Sequence, residues 1–267
     1  MPKLTPRPGA KILTLDIETA PILAYVWRTW KENVGLNQIS YDWYILSFAA
    51  KWLGQKKVMY HSQQNAKNVE DDKGLLLKLH ALLDEADIVV AHNGRRFDCK
   101  KINARFLQHG LPPPSPYEIV DTLDVAKAHF AFTSNRLAYL TDTLCTEKKL
   151  AHAKFPGFEL WAQCLKGNPA AWKEMEVYNK QDVISLEELY LKLRSWMVGH
   201  PNVAAIHGDL SEEQCPKCGS ANVIQKGFRY TKQGGAYLRY QCKDCGGWSR
   251  GRFVQQSRSQ RRKMLVN

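Results

Sequence analysis

The stretch LTLDIET, at positions 13–19, alternates apolar residues with polar or acidic ones. This period of two predicts a β-strand with one face in a hydrophobic core. Asp16 and Glu18 are two residues apart, so their side chains project from the same face of that strand. Two carboxylates this close repel each other, and Mg²⁺ or Mn²⁺ between them would relieve the repulsion because these ions prefer oxygen ligands. Taken alone, the pair also fits a strand with a polar outer face.

The segments that follow this strand predict an α/β domain. Two further strand patterns, joined by a turn at Gly54, complete an antiparallel meander of three strands. Beyond them strands and helices alternate, which is typical of a mixed sheet with helices packed on it. The predicted strands lie at 11–18, 43–52, 57–61, 88–91 and 119–122, and the predicted helices lie at 71–85, 98–109, 123–131, 136–145 and 169–197.

Two more acids occupy positions from which they could join the pair. Asp98 follows the strand pattern that leads to Asn93, a position where an acid is more often a helix cap. Asp182 lies in the last long helical pattern, four residues after Tyr178, so the two side chains share one helix face. An acid beside an apolar stripe is costly to bury unless it meets a cation. The sequence therefore predicts that acids from a strand, a strand–helix junction and the last helix converge on a metal pair.

The order of these residues resembles that of a known family. Asp-x-Glu at 16–18, Asn-x-x-x-Phe-Asp at 93–98 and Tyr-x-x-x-Asp at 178–182 are similar to the motifs of the DnaQ-like 3′–5′ exonucleases, in the tyrosine subtype of the DEDD superfamily. The resemblance spans about 11–197 and implies a ribonuclease H-like fold. Within it, the stretch 27–53 looks closest to bacteriophage and bacterial exonuclease-like proteins of this superfamily. The alternative subtype has His five residues before the last Asp, where this chain has Val177.

This resemblance implies two-metal hydrolysis of phosphodiesters. It assigns Asp16 to bridge two Mg²⁺ or Mn²⁺ ions, Glu18 and Asp182 to complete the first ion, and Asp98 to hold the second directly or through water. Two ions about 4 Å apart would stabilise both the attacking and the leaving oxygen. Tyr178 is expected to orient the attacking water, because a phenol with an ordinary pKa near 10 is a poor base at neutral pH.

Four of the seven cysteines form two Cys-x-x-Cys-Gly motifs. Each motif predicts a tight turn, and the two turns together could hold one Zn²⁺ in a tetrahedral site. The strand patterns between them make the segment similar to a zinc ribbon. A module this small needs its ion to fold, so we expect zinc to be structural, with a redox-active cysteine set as the alternative. The predicted ligands are Cys215, Cys218, Cys242 and Cys245, whereas Cys99, Cys145 and Cys164 are expected to be reduced thiols.

The chain of 267 residues has a net charge of +12, which is unevenly distributed. Residues 211–267 carry twelve Lys or Arg against three Asp or Glu, whereas residues 1–210 carry twenty-six against twenty-three. Such a basic tail favours nucleic acid as a partner, and a solvated tail without a partner is the alternative. The sequence has no apolar run long enough to span a membrane and no signal-peptide pattern at 1–8, so we expect it in the cytoplasm of a bacterial or phage-infected cell.

Cations and aromatic residues near the motifs are candidate nucleic-acid contacts. Arginines bind phosphates, and exposed aromatic rings stack on unpaired bases. The same side chains could instead be solvated, form a core or dock on a protein. The candidates are Asn93, Arg95 and Arg96 at the second acidic motif, and Arg229, Arg239, Lys243, Trp248, Arg250 and Arg252 around the cysteines.

Together these patterns predict a metal-dependent 3′–5′ exonuclease that releases nucleoside monophosphates, preferably from single-stranded DNA. The alternatives are an RNA 3′ exonuclease and a nucleic-acid-binding or polymerase-accessory module with an inactive core. Replication or repair proteins are expected as further partners, and membranes are not. The predicted limits are 10–200 for the exonuclease domain, 201–212 for a linker, 213–254 for the zinc ribbon and 255–267 for a basic, disordered tail.

Overall fold

The computed structural model describes residues 9–151, 153–207 and 211–266. It divides the chain into two compact units. The first unit is Lys11–Tyr190, and the second consists of the described residues after 190 together with Gly9 and Ala10. The domain limits derived from the sequence stay predictions. Within the described ranges, no helix combines the length and the apolar character needed to cross a membrane.

A five-stranded mixed sheet forms the centre of the first unit. The strands of this unit are β1 (Ile12–Thr19), β2 (Leu23–Ala24), β3 (Ile39–Tyr41), β4 (Ile45–Trp52), β5 (Met59–Ser62), β6 (Ile88–Ala91) and β7 (Glu118–Asp121). Their order in the sheet is β5-β4-β1-β6-β7, and β2 pairs separately with β3. The central strand β1 is antiparallel to β4 and parallel to β6. The predicted α/β class with a mixed sheet is confirmed.

Helices flank this sheet. They are α1 (Lys73–Glu85), α2 (Asp98–Gln108), α3 (Thr122–His129), α4 (Leu137–Leu144), α5 (Glu159–Leu165) and α6 (Pro169–Arg194). Helix α5 was not predicted, because seven residues are too few for a clear helical period. Helix α1 begins at Lys73, slightly later than predicted, and Asp72 is its N-cap residue. The Asp72 carboxylate is fully buried, accepts a 2.9 Å hydrogen bond from the Ile45 backbone N–H and pairs with Arg105 at 2.6 Å.

The two faces of β1 meet different surroundings. Leu13, Leu15 and Ile17 lie in a buried cluster with leucines of α1 and with Ile102 and Phe106 of α2. A second buried cluster contains Leu46 of β4 with Trp172 and Met175 of α6. Because side chains alternate along a strand, the acids of β1 point away from the first cluster. The packing therefore turns them to the side of the sheet opposite α1 and α2.

The second unit contains a three-stranded antiparallel sheet. Its elements are α7 (Val203–His207), β8 (Val223–Tyr230), β9 (Ala236–Cys242), β10 (Trp248–Val254) and α8 (Arg258–Arg262). The strand order is β10-β9-β8, so the middle strand of the sequence is also the middle strand of the sheet. Strand patterns in the sequence indicated β8 and β9, whereas β10 was not recognised because Arg and Gly interrupt its apolar residues.

Two segments differ from their predicted state. Helix α7 lies within the predicted linker 201–212, of which residues 208–210 are outside the described part of the chain. Helix α8 lies in the tail that was predicted to be disordered. Ser257 starts this helix with a capping box, in which its hydroxyl accepts from the Gln260 N–H at 3.2 Å and Gln260 accepts from the Ser257 N–H at 2.8 Å.

Candidate active site and metal centres

Strand β1 and helix α6 bring three carboxylates together. Asp16 and Glu18 come from β1, and Asp182 comes from α6. One oxygen from each lies within 4.8 Å of the others. The register between β1 and β4 shifts at Glu18, which marks a local irregularity at the end of the acidic pair. Three of the four predicted acidic ligands therefore form one cluster, which we call the acidic cluster.

Asp98 lies beside β1, but among the described residues it does not belong to this cluster. It is the first residue of α2, is 3% exposed, and accepts a 3.1 Å hydrogen bond from the Ile17 backbone N–H. Burial raises the pKa of Asp98 to about 7, and the hydrogen bond from Ile17 opposes that rise. Its predicted part in holding a second ion stays a prediction.

The acidic cluster is electrostatically unfavourable without a cation. Burial, together with repulsion from the neighbouring Asp182, raises the pKa of Glu18 to about 8, although Lys149 opposes the rise. Burial also raises the pKa of Asp16 well above its usual range, and repulsion from Glu18, Asp182 and Asp98 adds to the rise. Carboxyl groups that resist ionisation in this way become stable carboxylates when a divalent ion lies between them.

The surroundings of the Asp182 carboxylate indicate whether the acidic cluster suits a metal ion. Asp182 is 2% exposed, and its Oδ1 atom is buried without a hydrogen-bond partner in the described part of the chain. A buried carboxylate oxygen without a partner is costly. Since Mg²⁺ and Mn²⁺ bind carboxylate oxygens, the donor set of Asp16, Glu18 and Asp182 fits such an ion.

Lys149 is a site residue that the sequence analysis missed. Its ammonium forms an ion pair with Asp182 Oδ2 and lies 4.3 Å from the centre of the Tyr178 ring. Burial lowers the pKa of Lys149, but the adjacent Asp182 and Tyr178 raise it by more, so the ammonium stays charged. Its position in the run Glu-Lys-Lys at 147–149 gives no sign of this role, because only the fold brings it to α6.

Tyr178 is held from a second direction by Trp161 of α5. The two rings are arranged edge to face with their centres 6.4 Å apart. The Trp161 side chain also donates a hydrogen bond to Glu18. Burial and the nearby Asp182 raise the pKa of Tyr178 to about 12, although Lys149 opposes the rise. Trp161 was missed together with α5, and it links the predicted tyrosine to a predicted acid.

Asn179 fixes the position of Asp16. Its side-chain amide donates to Asp16 Oδ2 at 2.6 Å and to the Asp16 carbonyl at 3.3 Å. The Asn179 side-chain carbonyl accepts from the Ser47 hydroxyl at 3.2 Å, and the side chain is fully buried. A buried amide with partners on both ends holds the carboxylate in one orientation. The sequence analysis passed over this residue between Tyr178 and Asp182.

The second acidic motif contains a turn that is organised by Asp121. The Asp121 carboxylate accepts hydrogen bonds from the backbone N–H of Asn93 at 2.9 Å and of Arg95 at 3.1 Å. Asn93 has a positive φ of 69°, a conformation that asparagine tolerates better than most residues. A Cβ atom on Gly94 would lie 2.3 Å from Ala91 Cβ, so only glycine fits this close approach.

This turn contains two arginines. The Arg95 guanidinium donates to the Ile119 carbonyl at 2.6 Å and lies 3.8 Å from Asp124, so it is engaged within the protein. Both arginines are exposed, and the predicted contact of Arg95, Arg96 and Asn93 with nucleic acid stays a prediction.

A basic cavity of about 620 Å³ adjoins the acidic cluster at Lys149. It contains three cationic side chains, and no acid lines it. Such a cavity suits a phosphate-bearing ligand. Its lining residues are His92, Asn93, Leu123, Lys127, Asn135, Arg136, Leu137, Ala138 and Lys149.

The second unit brings its four predicted cysteine ligands together. The sulfur atoms of Cys215, Cys218, Cys242 and Cys245 all lie within 4.8 Å of one another. The distances Cys215 Sγ to Cys245 Sγ and Cys218 Sγ to Cys242 Sγ are 3.6 and 3.7 Å. These distances exclude disulfide bonds, which are about 2 Å long. They match the separation of roughly 3.8 Å that a tetrahedron with Zn–S bonds of about 2.3 Å requires.

Backbone turns prepare the cysteines for a cation. Gly219 and Gly246 have φ values of 78° and 72°, and their N–H groups donate to the carbonyls of Cys215 and Cys242. Backbone N–H groups also donate to the sulfur atoms, from Asp244 to Cys242 among others. Hydrogen bonds to sulfur favour the thiolate form that binds zinc. We call these four residues the cysteine cluster.

Comparisons with known proteins agree with the fold of the first unit. Residues 32–194 match the family model of the RNase_H superfamily. The matched segment includes Asp98 and Asp182 but begins after β1. A segment of 79 residues is 43% identical to the DNA polymerase III PolC-type of Ureaplasma parvum serovar 3. That segment is 28% of this chain and 5% of the polymerase.

A solved structure gives a similar result. The family B DNA polymerase from the hyperthermophilic archaeon Pyrobaculum calidifontis matches with a TM-score of 0.51 at 12% sequence identity. The match covers 86% of this chain and 32% of the polymerase. At this identity it shows a shared fold. The chain thus spans only a minor part of either polymerase.

Proposed function

The chain belongs to the RNase H superfamily, and on this basis we propose that it is a metal-dependent 3′–5′ exonuclease that hydrolyses terminal phosphodiesters to nucleoside monophosphates. The observation that carries the proposal is the convergence of Asp16, Glu18 and Asp182, with one oxygen of each within 4.8 Å of the others, together with a buried Asp182 oxygen that has no hydrogen-bond partner in the described part of the chain. A divalent cation satisfies such a cluster. The direction of hydrolysis is inferred from the resemblance of the three acidic motifs to 3′–5′ exonucleases.

Named residues have distinct roles in this proposal. Asp16, Glu18 and Asp182 hold Mg²⁺ or Mn²⁺, and Asp98 contributes to a second ion. When bound, two such ions activate water and neutralise charge on the attacked phosphate. Tyr178 keeps its proton at neutral pH, since its pKa is raised to about 12, and its hydroxyl therefore orients water and does not act as a base. Asn179 keeps the Asp16 carboxylate in position.

Lys149 contributes a positive charge beside the acidic cluster. In the structure its ammonium pairs with Asp182. Lys149 also lines the basic cavity, together with Lys127 and Arg136. There it would bind a substrate phosphate through a charge-assisted hydrogen bond. Lys149 therefore lies between the proposed metal ligands and the proposed phosphate site.

Single-stranded DNA is the proposed substrate. Both named relatives are DNA polymerases, which supports DNA as the polymer. A terminal nucleotide must leave the base stack to reach the half-buried acidic cluster, and an unpaired end does this at least cost. An RNA end has the same phosphate chemistry. Cleavage of RNA and not of DNA would therefore show that the substrate contains ribose and not deoxyribose.

The proposed role of zinc is structural. The sulfur separations of 3.6 and 3.7 Å fit a tetrahedral Zn²⁺ with four protein ligands, which leaves no position for substrate. Both metal assignments follow from the donor atoms: oxygen donors in the first unit and thiolates in the second.

A cleavage time course tests the proposal. Single-stranded DNA and RNA of one sequence, labelled at the 5′ end, would be incubated with Mn²⁺ and the wild type, with Asp16→Ala, or with Asp142→Ala. Asp142 is an exposed acid and serves as the matched control. We expect a descending ladder on DNA that Asp16→Ala abolishes and Asp142→Ala preserves.

Other outcomes have definite meanings. Immediate release of a labelled mononucleotide would show that hydrolysis runs from 5′ to 3′. A ladder on RNA alone would show that RNA is the substrate. If neither polymer is cut while both are still bound, the nuclease proposal fails and a binding or polymerase-accessory module takes its place.

A further inference from the structure

The three-stranded sheet of the second unit has two chemically different faces. Strand register places Trp248 opposite Gln241, Arg250 opposite Arg239, and Arg229 opposite Tyr237. Opposed residues share a face, and residues two apart on one strand share a face. We call this side of the sheet the basic face. Its cationic and aromatic members are Lys226, Arg229, Tyr237, Arg239, Trp248 and Arg250.

The other side of the sheet is apolar. Phe228 lies opposite Leu238, and Tyr230 lies opposite Ala236. Phe228 is 45% exposed and Tyr230 is 68% exposed. This apolar face carries neither Lys nor Arg among those paired residues. Apart from Arg252, which lies in the irregular part of β10, the cations of the strands thus lie on the basic face.

Cations on the basic face stack on its aromatic rings. The Arg250 guanidinium carbon lies 4.0 Å from the centre of the Tyr237 ring, and the Arg239 carbon lies 4.9 Å from the centre of the Trp248 ring. The Lys226 ammonium lies 5.8 Å from the same Trp248 ring. Arg239 Nε donates to the Lys226 carbonyl at 2.8 Å, which fixes the plane of that guanidinium. Two arginine–aromatic pairs therefore lie side by side in a defined orientation.

The basic face lacks compensating negative charge. The sequences of β8, β9 and β10 contain no Asp or Glu. Asp244, the acid between β9 and β10, is held by Ser220 at 2.5 Å and by Asn222 at 2.7 Å at the cysteine turn. Exposed arginines without acidic partners in their own sheet attract polyanions.

We propose that the basic face binds unpaired nucleic acid, separately from the acidic cluster. Planar guanidinium groups and aromatic rings stack on free bases, and their remaining N–H groups bind phosphates. The two pairs are about 7 Å apart along the strands, since Tyr237 and Arg239 are two residues apart. In a duplex the base faces are covered, so stacking of this kind selects single strands. The choice of nucleic acid as partner rests on the proposed function, but the surface belongs to another unit.

The test is strand binding by the full chain. Fluorescence anisotropy would measure binding of a labelled oligothymidylate and of a labelled duplex, in the Asp16→Ala background so that no probe is cleaved. We expect Arg239→Gln with Arg250→Gln to weaken single-strand binding by about 10-fold or more and duplex binding by less. Arg239→Lys with Arg250→Lys keeps the charge but loses the planar group, so its affinity is expected to be intermediate.

Controls separate this surface from general charge and from the apolar face. Lys232→Gln removes an exposed charge from the turn between β8 and β9 and is expected to leave affinity unchanged. Phe228→Ser with Tyr230→Ser alters the apolar face. Zinc content, measured for every variant, shows whether the cysteine cluster is intact.

The proposal is overturned if the glutamine pair binds the single strand as tightly as its parent, or if the apolar-face variant alone loses affinity. The latter result would indicate that this unit docks through its apolar side. Failure of the nuclease proposal would appear separately, as absence of metal-dependent cleavage by the wild type, and would leave the anisotropy result standing.

Discussion

The acidic cluster and the cysteine cluster are both candidate cation sites, but their ligands are brought together by different parts of the fold. The acids come from distant parts of the chain, because Asp16 lies in β1 and Asp182 lies in α6. The cysteines come from two turns, and the contact between Cys215 and Cys245 spans 30 positions. The first cluster depends on the whole α/β fold, whereas the second depends on two turns and the pairing of β8 with β9.

The two clusters also differ in how well their donor atoms are satisfied. Hydrogen bonds from backbone N–H groups reach the cysteine sulfurs, and four ligands close the site. In the acidic cluster the pKa of Glu18 is raised to about 8, and Asp182 Oδ1 is buried without a partner in the described ranges. A site with satisfied ligands suits structural zinc, and a site with an unsatisfied oxygen suits a metal that must also accept water and substrate.

The largest effect is expected from Cys242→Ser. Binding of structural zinc by small modules contributes about 10–16 kcal/mol, so loss of one ligand should release zinc and unfold the cysteine turns. Metal analysis would find no zinc, and hydrogen exchange would increase in 213–254. Cleavage of a short oligonucleotide should persist because the acidic cluster lies in the other unit. Loss of cleavage together with zinc would show that the two clusters are not independent.

Asp182→Asn should lower kcat/KM by about 10³-fold, because it removes several kcal/mol of metal-dependent stabilisation of the transition state. Calorimetry should show weaker Mn²⁺ binding, with zinc content unchanged. Asp142→Asn, at an exposed acid paired with Lys148, is the control and should behave as the wild type. Equal rates for the two variants would remove Asp182 from the metal site.

Tyr178→Phe should lower kcat by about 10- to 100-fold while Mn²⁺ affinity stays the same. The ring remains in place beside Trp161 and Lys149, whereas the hydroxyl, which is hydrogen-bonded to Lys149 and is proposed to orient water, is lost. The measurement is single-turnover cleavage at saturating Mn²⁺. An unchanged rate would exclude Tyr178 from the mechanism and leave it a packing residue.

The smallest effect is a gain in stability from Glu18→Gln when no Mg²⁺ or Mn²⁺ is present. Its pKa is raised to about 8, so folding becomes less favourable as pH rises from the unfolded value towards 8 and Glu18 ionises. Above pH 8 the melting temperature of the variant should therefore exceed that of the wild type, by about 2–4 °C for each kcal/mol of stability gained. Below about pH 4.5 the two proteins should melt at the same temperature. At saturating Mn²⁺ the wild type should have the higher melting temperature, because Glu18 then binds the ion. Glu118→Gln, on an exposed position of β7, is the control.

Regular patterns made much of the fold predictable. The alternation in 13–19 placed Asp16 and Glu18 on one face of β1, and helical spacing placed Tyr178 and Asp182 on one face of α6. The cysteine turns follow from local spacing, and all four sulfurs meet. These features depend on residues that are close in sequence.

The remaining site features depend on tertiary contacts. Lys149 reaches Asp182 from the loop after α4, and Trp161 reaches Glu18 from a helix too short to recognise. Asn179 contacts Asp16 across 163 positions, which no local pattern can indicate. Asp72 illustrates the same limit: its position at the start of α1 follows from the sequence, and it is the N-cap residue there, but its ion pair with Arg105, 33 positions away, does not.

The position of the acidic cluster between β1 and α6 makes a metal ion there a reversible cross-link. The ion would close a loop that contains most of the first unit, and only the folded chain offers its ligands together. Binding to the folded state alone stabilises it by about 2.7 kcal/mol when free metal exceeds the dissociation constant 100-fold. Depletion of Mg²⁺ and Mn²⁺ should therefore shorten the lifetime of the protein towards proteases as well as stop its chemistry.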